Sequence, residues 1–265
     1  GSPGIADTTD GTGTSARFTG IGSVCVDSAN NLYVTDYGNA IRKITPGAVV
    51  STVTFFYKPG SIAADSSGNL FVCGRGASVS KVVPGGTTQV FAGGLVVGSE
   101  DGIGTAARFM SNMGQCAFDG AGNLLVVDAS NNLLRRITPG GAVSTLIGIG
   151  TQAHADGKGF AARFRSPVSL DYDSAGNLYV ADTANQTIRR VTPDGVVSTF
   201  AGVPTVSGNV DGPSNSALFN EPTGVAVDAA GAVYVADSGN NRIRKISGGQ
   251  AVSYTHLTLP TILLV

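Results

Sequence analysis

A motif that occurs five times along the chain constrains its fold more than any other feature. The clearest copy begins at Pro167, carries aspartates at Asp173 and Asp182, and ends near Gly202. In the other copies the first aspartate is Asp27, Asp65, Asp119 or Asp228. A repeat of roughly 50 residues is typical of propellers and solenoids.

Each copy divides into four short strands separated by turns. In the clearest copy, β-branched, aromatic and aliphatic residues are concentrated in the segments 168–172, 178–181, 187–192 and 196–201. Between the last two segments, Pro193-Asp194-Gly195 is a strong turn signal. Blades arranged radially leave only short, protected sheet edges. The sequence therefore predicts an all-β propeller of four-stranded antiparallel blades over residues 1–251, with five recognisable blades.

The wording Gly-Asn-Leu-Tyr-Val-Ala-Asp at 176–182, followed by Ile-Arg-Arg at 188–190, resembles the NHL repeat. The resemblance extends from residue 10 to about residue 251. Because NHL domains are usually six-bladed, it implies an incomplete six-bladed ring, and we expect the chain to be cut at both ends. Residues 252–261 resemble a translated sequencing adapter, so we expect a non-native tail at 252–265 on a bacterial, metagenomic fragment.

The charge balance argues against two classes of partner. The chain has 17 Lys and Arg against 18 Asp and Glu, whereas nucleic acids and anionic membranes favour a basic surplus. We therefore expect no nucleic-acid partner, and no apolar run is long enough for membrane insertion. Cys25, Cys73 and Cys116 occupy apolar positions and are predicted to be buried thiols. Few lysines and many Ser, Thr and Gly residues favour an extracellular or cell-envelope location.

Two charged residue types recur at fixed positions in four copies. We interpret them as structural, with turn capping and Asp–Arg pairing within or between blades. The alternative is a ring of arginines that binds an anionic ligand. These repeat positions are Asp36, Asp128, Asp182 and Asp237, and Arg42, Arg135, Arg189 and Arg244.

Connectors with the pattern Asp-Gly-x-Gly-x-x-Ala-Arg-Phe precede most copies, and each final phenylalanine is predicted to fill a gap between blades. We expect the connectors to share one propeller face, where loops on a rigid scaffold commonly bind ligands. They have too few spaced carboxylates for a typical calcium loop, so no cofactor is predicted, although Ca²⁺ or another divalent ion stays open. Before the second copy, an aromatic segment replaces the connector. The predicted ligand-binding residues are Asp101, Arg108, Asp156, Lys158, Arg163, Asp211, Phe56 and Tyr57.

Residues suited to catalysis are scarce. Outside the suspect tail the only histidine is His154, which we expect to be a solvated loop residue, and no His or Cys cluster suits zinc. We therefore predict no catalytic or metal-ligating residue. The predicted function is a non-catalytic scaffold that binds a protein, peptide or glycan through the connector face, with association through the open propeller edge. The alternative is a divalent-metal lactonase or lyase of the six-bladed class, for which only Glu221 and Asp171 are candidate ligands.

Overall fold

The computed structural model describes residues 4–74 and 76–254. Over these residues the chain forms five antiparallel sheets in a ring, each sheet a blade. This confirms the predicted all-β propeller. None of the described residues belongs to a helix with the length and apolar character to cross a membrane.

The blades follow one another in chain order. Blade one contains β1 (Gly11–Thr12), β2 (Ile21–Val26), β3 (Leu32–Asp36), β4 (Ala40–Ile44) and β5 (Val49–Phe55). Blade two contains β6 (Pro59–Ala64), β7 (Leu70–Gly74), β8 (Ser78–Val82) and β9 (Thr88–Gly93). Blade three contains β10 (Gly102–Ile103), β11 (Cys116–Phe118), β12 (Leu124–Asp128), β13 (Leu133–Ile137) and β14 (Ala142–Ile147). Blade four contains β15 (Gly157–Lys158), β16 (Pro167–Tyr172), β17 (Leu178–Asp182), β18 (Thr187–Val191) and β19 (Val196–Ala201). Blade five contains β20 (Gly212–Pro213), β21 (Pro222–Val227), β22 (Val233–Asp237), β23 (Arg242–Ser247) and β24 (Gln250–Ser253).

Four blades carry a fifth strand that the repeat did not predict. In blade four, β15 pairs with the outer strand β19, through Gly157 opposite Val197 and Lys158 opposite Val196. The short strands β1, β10 and β20 do the same in their blades. The connector thus satisfies backbone groups of an outer strand that would otherwise be a free sheet edge.

The path of the connectors corrects the expectation that they lie on one face. We call the end of the ring where the second and fourth strands of each blade terminate the connector face. The connector before blade four leaves this face, runs along β15, and reaches the turn between β18 and β19, where the Gly159 amide donates to the Gly195 carbonyl. It then returns to start β16. The middle of each such connector therefore lies at the opposite face.

The core lies between neighbouring blades. The apolar cluster between blades four and five combines Tyr179 and Ile188 of one blade with Val225 and Val235 of the next. Phe109, Phe164 and Phe219 from the connectors are completely buried, as predicted, whereas Phe18 of the first connector is only partly buried. Since these faces remove large apolar side chains from water, blade-to-blade packing supplies most of the favourable folding energy.

One face of blade one and one face of blade five, which we call the flanks, are not packed against a neighbouring blade among the described residues. Val24 is 54% exposed, whereas Leu170 and Val225 at the equivalent positions are buried. On blade five, Ile243 is 46% exposed, whereas its equivalent Ile188 is buried. The predicted tail begins within β24, and its residues 255–265 lie outside the described part of the chain.

Candidate functional site

A completely buried arginine ties the connector to each of four blades. In blade four, Nη1 of Arg189 donates to Asp182 Oδ2 at 2.9 Å and to the Arg163 carbonyl at 3.0 Å. Its Nη2 donates to Asp156 Oδ1 at 2.6 Å and to the Ala155 carbonyl at 2.8 Å. One guanidinium therefore holds the second strand and both passes of the connector.

The same arrangement, which we call the guanidinium node, recurs at Arg42, Arg135 and Arg244. In each node the connector phenylalanine lies against the guanidinium, as Phe164 does at 5.3 Å from Arg189. All four arginine side chains are 0% exposed, which leaves an anionic ligand no access to them. The nodes are built from Arg42 with Asp36 and Asp10, Arg135 with Asp128 and Asp101, Arg189 with Asp182 and Asp156, and Arg244 with Asp237 and Asp211.

The two carboxylates of the blade-four node differ in their titration. Burial raises the pKa of Asp182 above its usual value, because desolvation outweighs the hydrogen bonds from the Arg165 amide and Asn185. At Asp156 burial also opposes ionisation, but hydrogen bonds from Thr199 and Arg189 outweigh it and lower the pKa. The connector aspartate is thus held firmly ionised beside the arginine.

The structure does not bring the predicted ligand-binding residues into one patch. Arg108 and Arg163 donate to carbonyls of their own connectors, and Lys158 lies 3.5 Å from Asp194 at the opposite face. The connector aspartates Asp101, Asp156 and Asp211 are about half exposed but paired with node arginines. Their contact with a ligand stays a prediction.

Blade two lacks the guanidinium node. Gly74 stands at the aspartate position and Ser80, which is opposite Val72, at the arginine position. Phe56 takes the place of the connector phenylalanine, since it precedes Pro59 as Phe164 precedes Pro167. A Cβ at Gly74 would lie 3.3 Å from Cε1 of Phe56. The absence of a side chain at Gly74 therefore leaves space for the Phe56 ring.

An open cleft results at blade two, with most of its lining at the connector face. It has a volume of about 480 Å³ and is lined by Phe55, Phe56, Tyr57, Lys58, Gly74, Gly76, Ser78 and Thr88. Phe55 is 75% and Tyr57 74% exposed, and Nζ of Lys58 lies 5.1 Å from the Tyr57 ring. The Lys58 amide donates to Asn39 Oδ1 at 2.8 Å, which anchors the segment to blade one. We call this cavity the aromatic cleft; Arg75, between two lining glycines, lies outside the described residues.

The central channel adjoins the cleft at Gly74, which lines both cavities. The channel has a volume of about 400 Å³, and its described lining offers hydroxyl, amide and thiol groups but no carboxylate. Asp171, one candidate metal ligand, accepts the Val227 amide at 2.7 Å and so links blade four to blade five. No group of three or more His, Cys, Asp and Glu side chains suited to a metal ion occurs among residues 4–74 and 76–254.

His154 is not the solvated loop residue that the sequence predicted. It is partly buried, and its Nε2 lies 2.9 Å from Oγ1 of Thr199. Burial lowers its pKa, and the nearby Arg189 charge adds to the effect. Sequence reasoning missed this contact because Thr199 belongs to an outer strand that is brought near only by the connector pairing.

The comparisons with known proteins agree with the blade geometry. The NHL repeat model matches residues 164–191 and 219–246. NHL repeat-containing protein 2 from Bos taurus is 32% identical over 132 residues, which cover 46% of this chain and 18% of that protein. Teneurin-4 from Homo sapiens is 38% identical over 100 residues, covering 32% of this chain and 4% of that protein. The chain thus spans less than a fifth of the length of these relatives.

Solved structures show the same fold at lower identity. An auxiliary nutrient binding protein from Bacteroides thetaiotaomicron has a TM-score of 0.71 and 21% identity, with 88% of this chain and 60% of that chain covered. Virginiamycin B lyase from Staphylococcus aureus has a TM-score of 0.63 and 16% identity, with 89% and 70% covered. The neighbouring structures are six-bladed propellers.

Proposed function

Because this chain is an NHL-repeat β-propeller protein, we propose that it is a non-catalytic scaffold that binds its ligand on the connector face. The predicted ligand classes are a protein, a peptide and a glycan. The aromatic cleft of blade two is the binding site, and a glycan is the ligand that fits it best.

The observation that carries the proposal is the exposure of two aromatic rings over a cavity with a polar rim. Phe55 and Tyr57 are each about three-quarters exposed, which is costly in water unless a ligand covers them. Aromatic faces pack against the C–H faces of a sugar ring, while hydroxyls such as those of Ser78 and Thr88 can hydrogen-bond its hydroxyl groups. A volume of about 480 Å³ lies within the usual range for small-ligand pockets.

The structural neighbours support this class of function only through the fold. One is described as an auxiliary nutrient binding protein. An extracellular or envelope location for the present chain is a further part of the proposal.

The runner-up is a divalent-metal lactonase or lyase. Among the neighbours are virginiamycin B lyase and a gluconolactonase from Xanthomonas campestris. No particular observation at the channel of this chain favours that chemistry, since its described lining supplies hydroxyls, amides and a thiol where hard divalent ions prefer carboxylates. The metal-dependent lactonase or lyase is therefore kept as one of the outcomes that the experiment can detect.

The test is a screen of immobilised glycans and peptides, followed by calorimetric titration of the best ligand. We expect a glycan to bind, and Tyr57→Ala to weaken binding by roughly tenfold or more, since a buried ring contact contributes about 1.4 kcal/mol or more. Phe160→Ala is the matched control, because Phe160 is 59% exposed on a connector away from the cleft.

If only peptides bound in the screen, the ligand class would be a peptide and the proposed glycan would be wrong. Equal losses of binding affinity in Tyr57→Ala and Phe160→Ala would show that the ligand does not bind in the aromatic cleft. Lactone or lyase turnover that depends on an added divalent ion would establish the runner-up.

A further inference from the structure

Two cysteines from neighbouring blades meet in the core beside the central channel. Cys73 lies in β7 of blade two and Cys116 begins β11 of blade three, and both are at most 2% exposed. Both belong to the same apolar cluster between the two blades, and each thiol shifts the pKa of the other. No other blade contact brings two cysteines together among the described residues, since Cys25 lies between blades one and two.

Ser61 fixes the position of the pair. It lies opposite Cys73 in the pairing of β6 with β7. Its Oγ accepts the Cys116 amide at 2.9 Å and lies 3.5 Å from Cys116 Sγ. One hydroxyl therefore ties the inner strands of both blades at the place where the two sulfurs meet, so their proximity is built into the sheet register.

The two thiols also differ in acidity. The neighbouring Cys73 thiol lowers the pKa of Cys116, and the Ser61 hydroxyl acts in the same direction. The same contact and burial raise the pKa of Cys73. Cys25, by contrast, has its pKa raised to about 12 by burial. Because the thiolate is the reactive form of cysteine, Cys116 is the nucleophile of the three.

We propose that Cys73 and Cys116 form a reversible redox pair, which a hydroperoxide oxidises to a disulfide that joins blade two to blade three. The channel, whose lining includes Cys73, gives a molecule as small as hydrogen peroxide a route to the pair. The inference is independent of the proposed glycan binding.

The reaction proceeds in two balanced steps. The Cys116 thiolate attacks one oxygen of hydrogen peroxide, the O–O bond breaks, and the leaving hydroxide takes up a proton to become water. The sulfur of Cys73 then attacks the sulfenic acid on Cys116, an S–S bond forms, the S–O bond breaks, and a second water leaves with the Cys73 proton. Two thiols are oxidised and one peroxide is reduced to two waters.

The disulfide would change how the blades move. It closes a loop of 43 residues (116 minus 73), and cross-links of this kind stabilise mainly by restricting the unfolded chain. It also lies next to Gly74, which lines the aromatic cleft. Oxidation would therefore hold the wall of the cleft against blade three.

The experiment treats the folded chain with a stoichiometric amount of hydrogen peroxide, blocks free thiols with N-ethylmaleimide in denaturant, and maps the peptides by mass spectrometry. We expect one cross-link, Cys73–Cys116, that dithiothreitol reverses, with Cys25 alkylated. The thermal midpoint should rise by roughly 5–15 °C on oxidation. Cys25→Ala should keep the cross-link, whereas Cys116→Ala should leave Cys73 reduced at the same dose.

Three results would overturn the proposal. The first is full alkylation of Cys73 and Cys116 after peroxide treatment of the folded chain. The second is a cross-link that contains Cys25. The third is formation of the Cys73–Cys116 cross-link at the same rate in denaturant, because the folded geometry would then play no part.

Discussion

At the scale of single residues, each guanidinium node gathers several interactions around one buried arginine. Arg135 donates to Asp128, Asp101 and two connector carbonyls while its side chain is 0% exposed. Its Nε makes no hydrogen bond, so the node is stabilising only because its four other contacts are made. A buried charge with several partners is tolerated, but removal of one member leaves the others unpaired.

Replacement of Arg135 by Met should therefore be costly although it keeps much of the apolar volume. The variant leaves Asp128 buried and without its cation, and we expect unfolding free energy to fall by about 3–5 kcal/mol. Arg136→Met is the matched control, since the neighbouring Arg136 is exposed and should change stability by about 0.5 kcal/mol or less. Urea unfolding followed by circular dichroism measures both, and equal effects would contradict the node as a stabilising element.

The connector aspartate gives a pH dependence with a defined sign. The pKa of Asp156 in the folded chain lies below its usual value of 3.8, so its ionised form favours folding at pH above that value. Asp156→Asn should lower stability at pH 7. This difference from the natural chain should shrink as pH falls from about 4 through the lowered pKa. Denaturant titrations at several pH values check this, and a difference that grows as pH falls would contradict it.

At the scale of strands, inner-strand side chains link each blade to the next. Ser169 Oγ donates to Gln115 Oε1 of blade three at 2.5 Å and accepts the Val225 amide of blade five at 3.0 Å. Ser23 and Ser61 occupy the same repeat position and accept amides of the following blade. The apolar clusters hold neighbouring sheets together, and the hydrogen bonds along the channel wall set the angle between those sheets.

Replacement of Ser169 by Ala should weaken the contact between blades four and five. The buried Val225 amide loses its acceptor, which costs about 1–3 kcal/mol. Ser174→Ala, in the exposed turn between β16 and β17, is the control and should be nearly neutral. Thermal unfolding measures both variants, and a neutral Ser169→Ala would show that packing alone fixes the blade angle.

The strands could be predicted from the sequence because each repeat carries its own turn residues. In blade four the observed β16, β17, β18 and β19 match the predicted segments to within one residue at every end. The fifth strands could not be predicted, since Gly157 pairs with Val197 forty residues away and the Gly157-Lys158 segment has no strand signal of its own. Part of the aromatic cleft was predicted, because Phe56 and Tyr57 interrupt the repeat. The space that Gly74 leaves beside Phe56 could not be predicted, because it depends on how blades one and two pack together.

At the scale of the whole molecule, the flanks of blades one and five are the largest departure from the regular pattern of burial. Val24, Val26 and Leu32 are exposed on one flank and Ile243 on the other. Equivalent positions elsewhere are packed against a neighbouring blade, as Leu170 and Ile188 are. We propose that these flanks promote self-association of the 265-residue chain, because exposed apolar sheet faces are association sites.

Replacement of Val24 and Ile243 together by Ser should reduce that self-association with little loss of stability, because both side chains are already about half exposed. The control is the pair Val49→Ser and Val196→Ser, which are exposed to a similar degree on outer strands. Sedimentation velocity over a range of concentrations should show fewer oligomers in the flank variant alone. Unchanged oligomers would contradict the role of the flanks.

In the proposed function, the irregular second blade, and not the regular connectors, forms the ligand site. Hydrogen–deuterium exchange with and without the glycan from the binding screen tests it most directly, because it reports all five blades at once. We expect protection of residues 55–60, 72–74 and 76–80, with no change at the turns 192–195 and 138–141 of the opposite face. Protection centred on the connectors around Asp101, Asp156 and Asp211, with none in blade two, would contradict it.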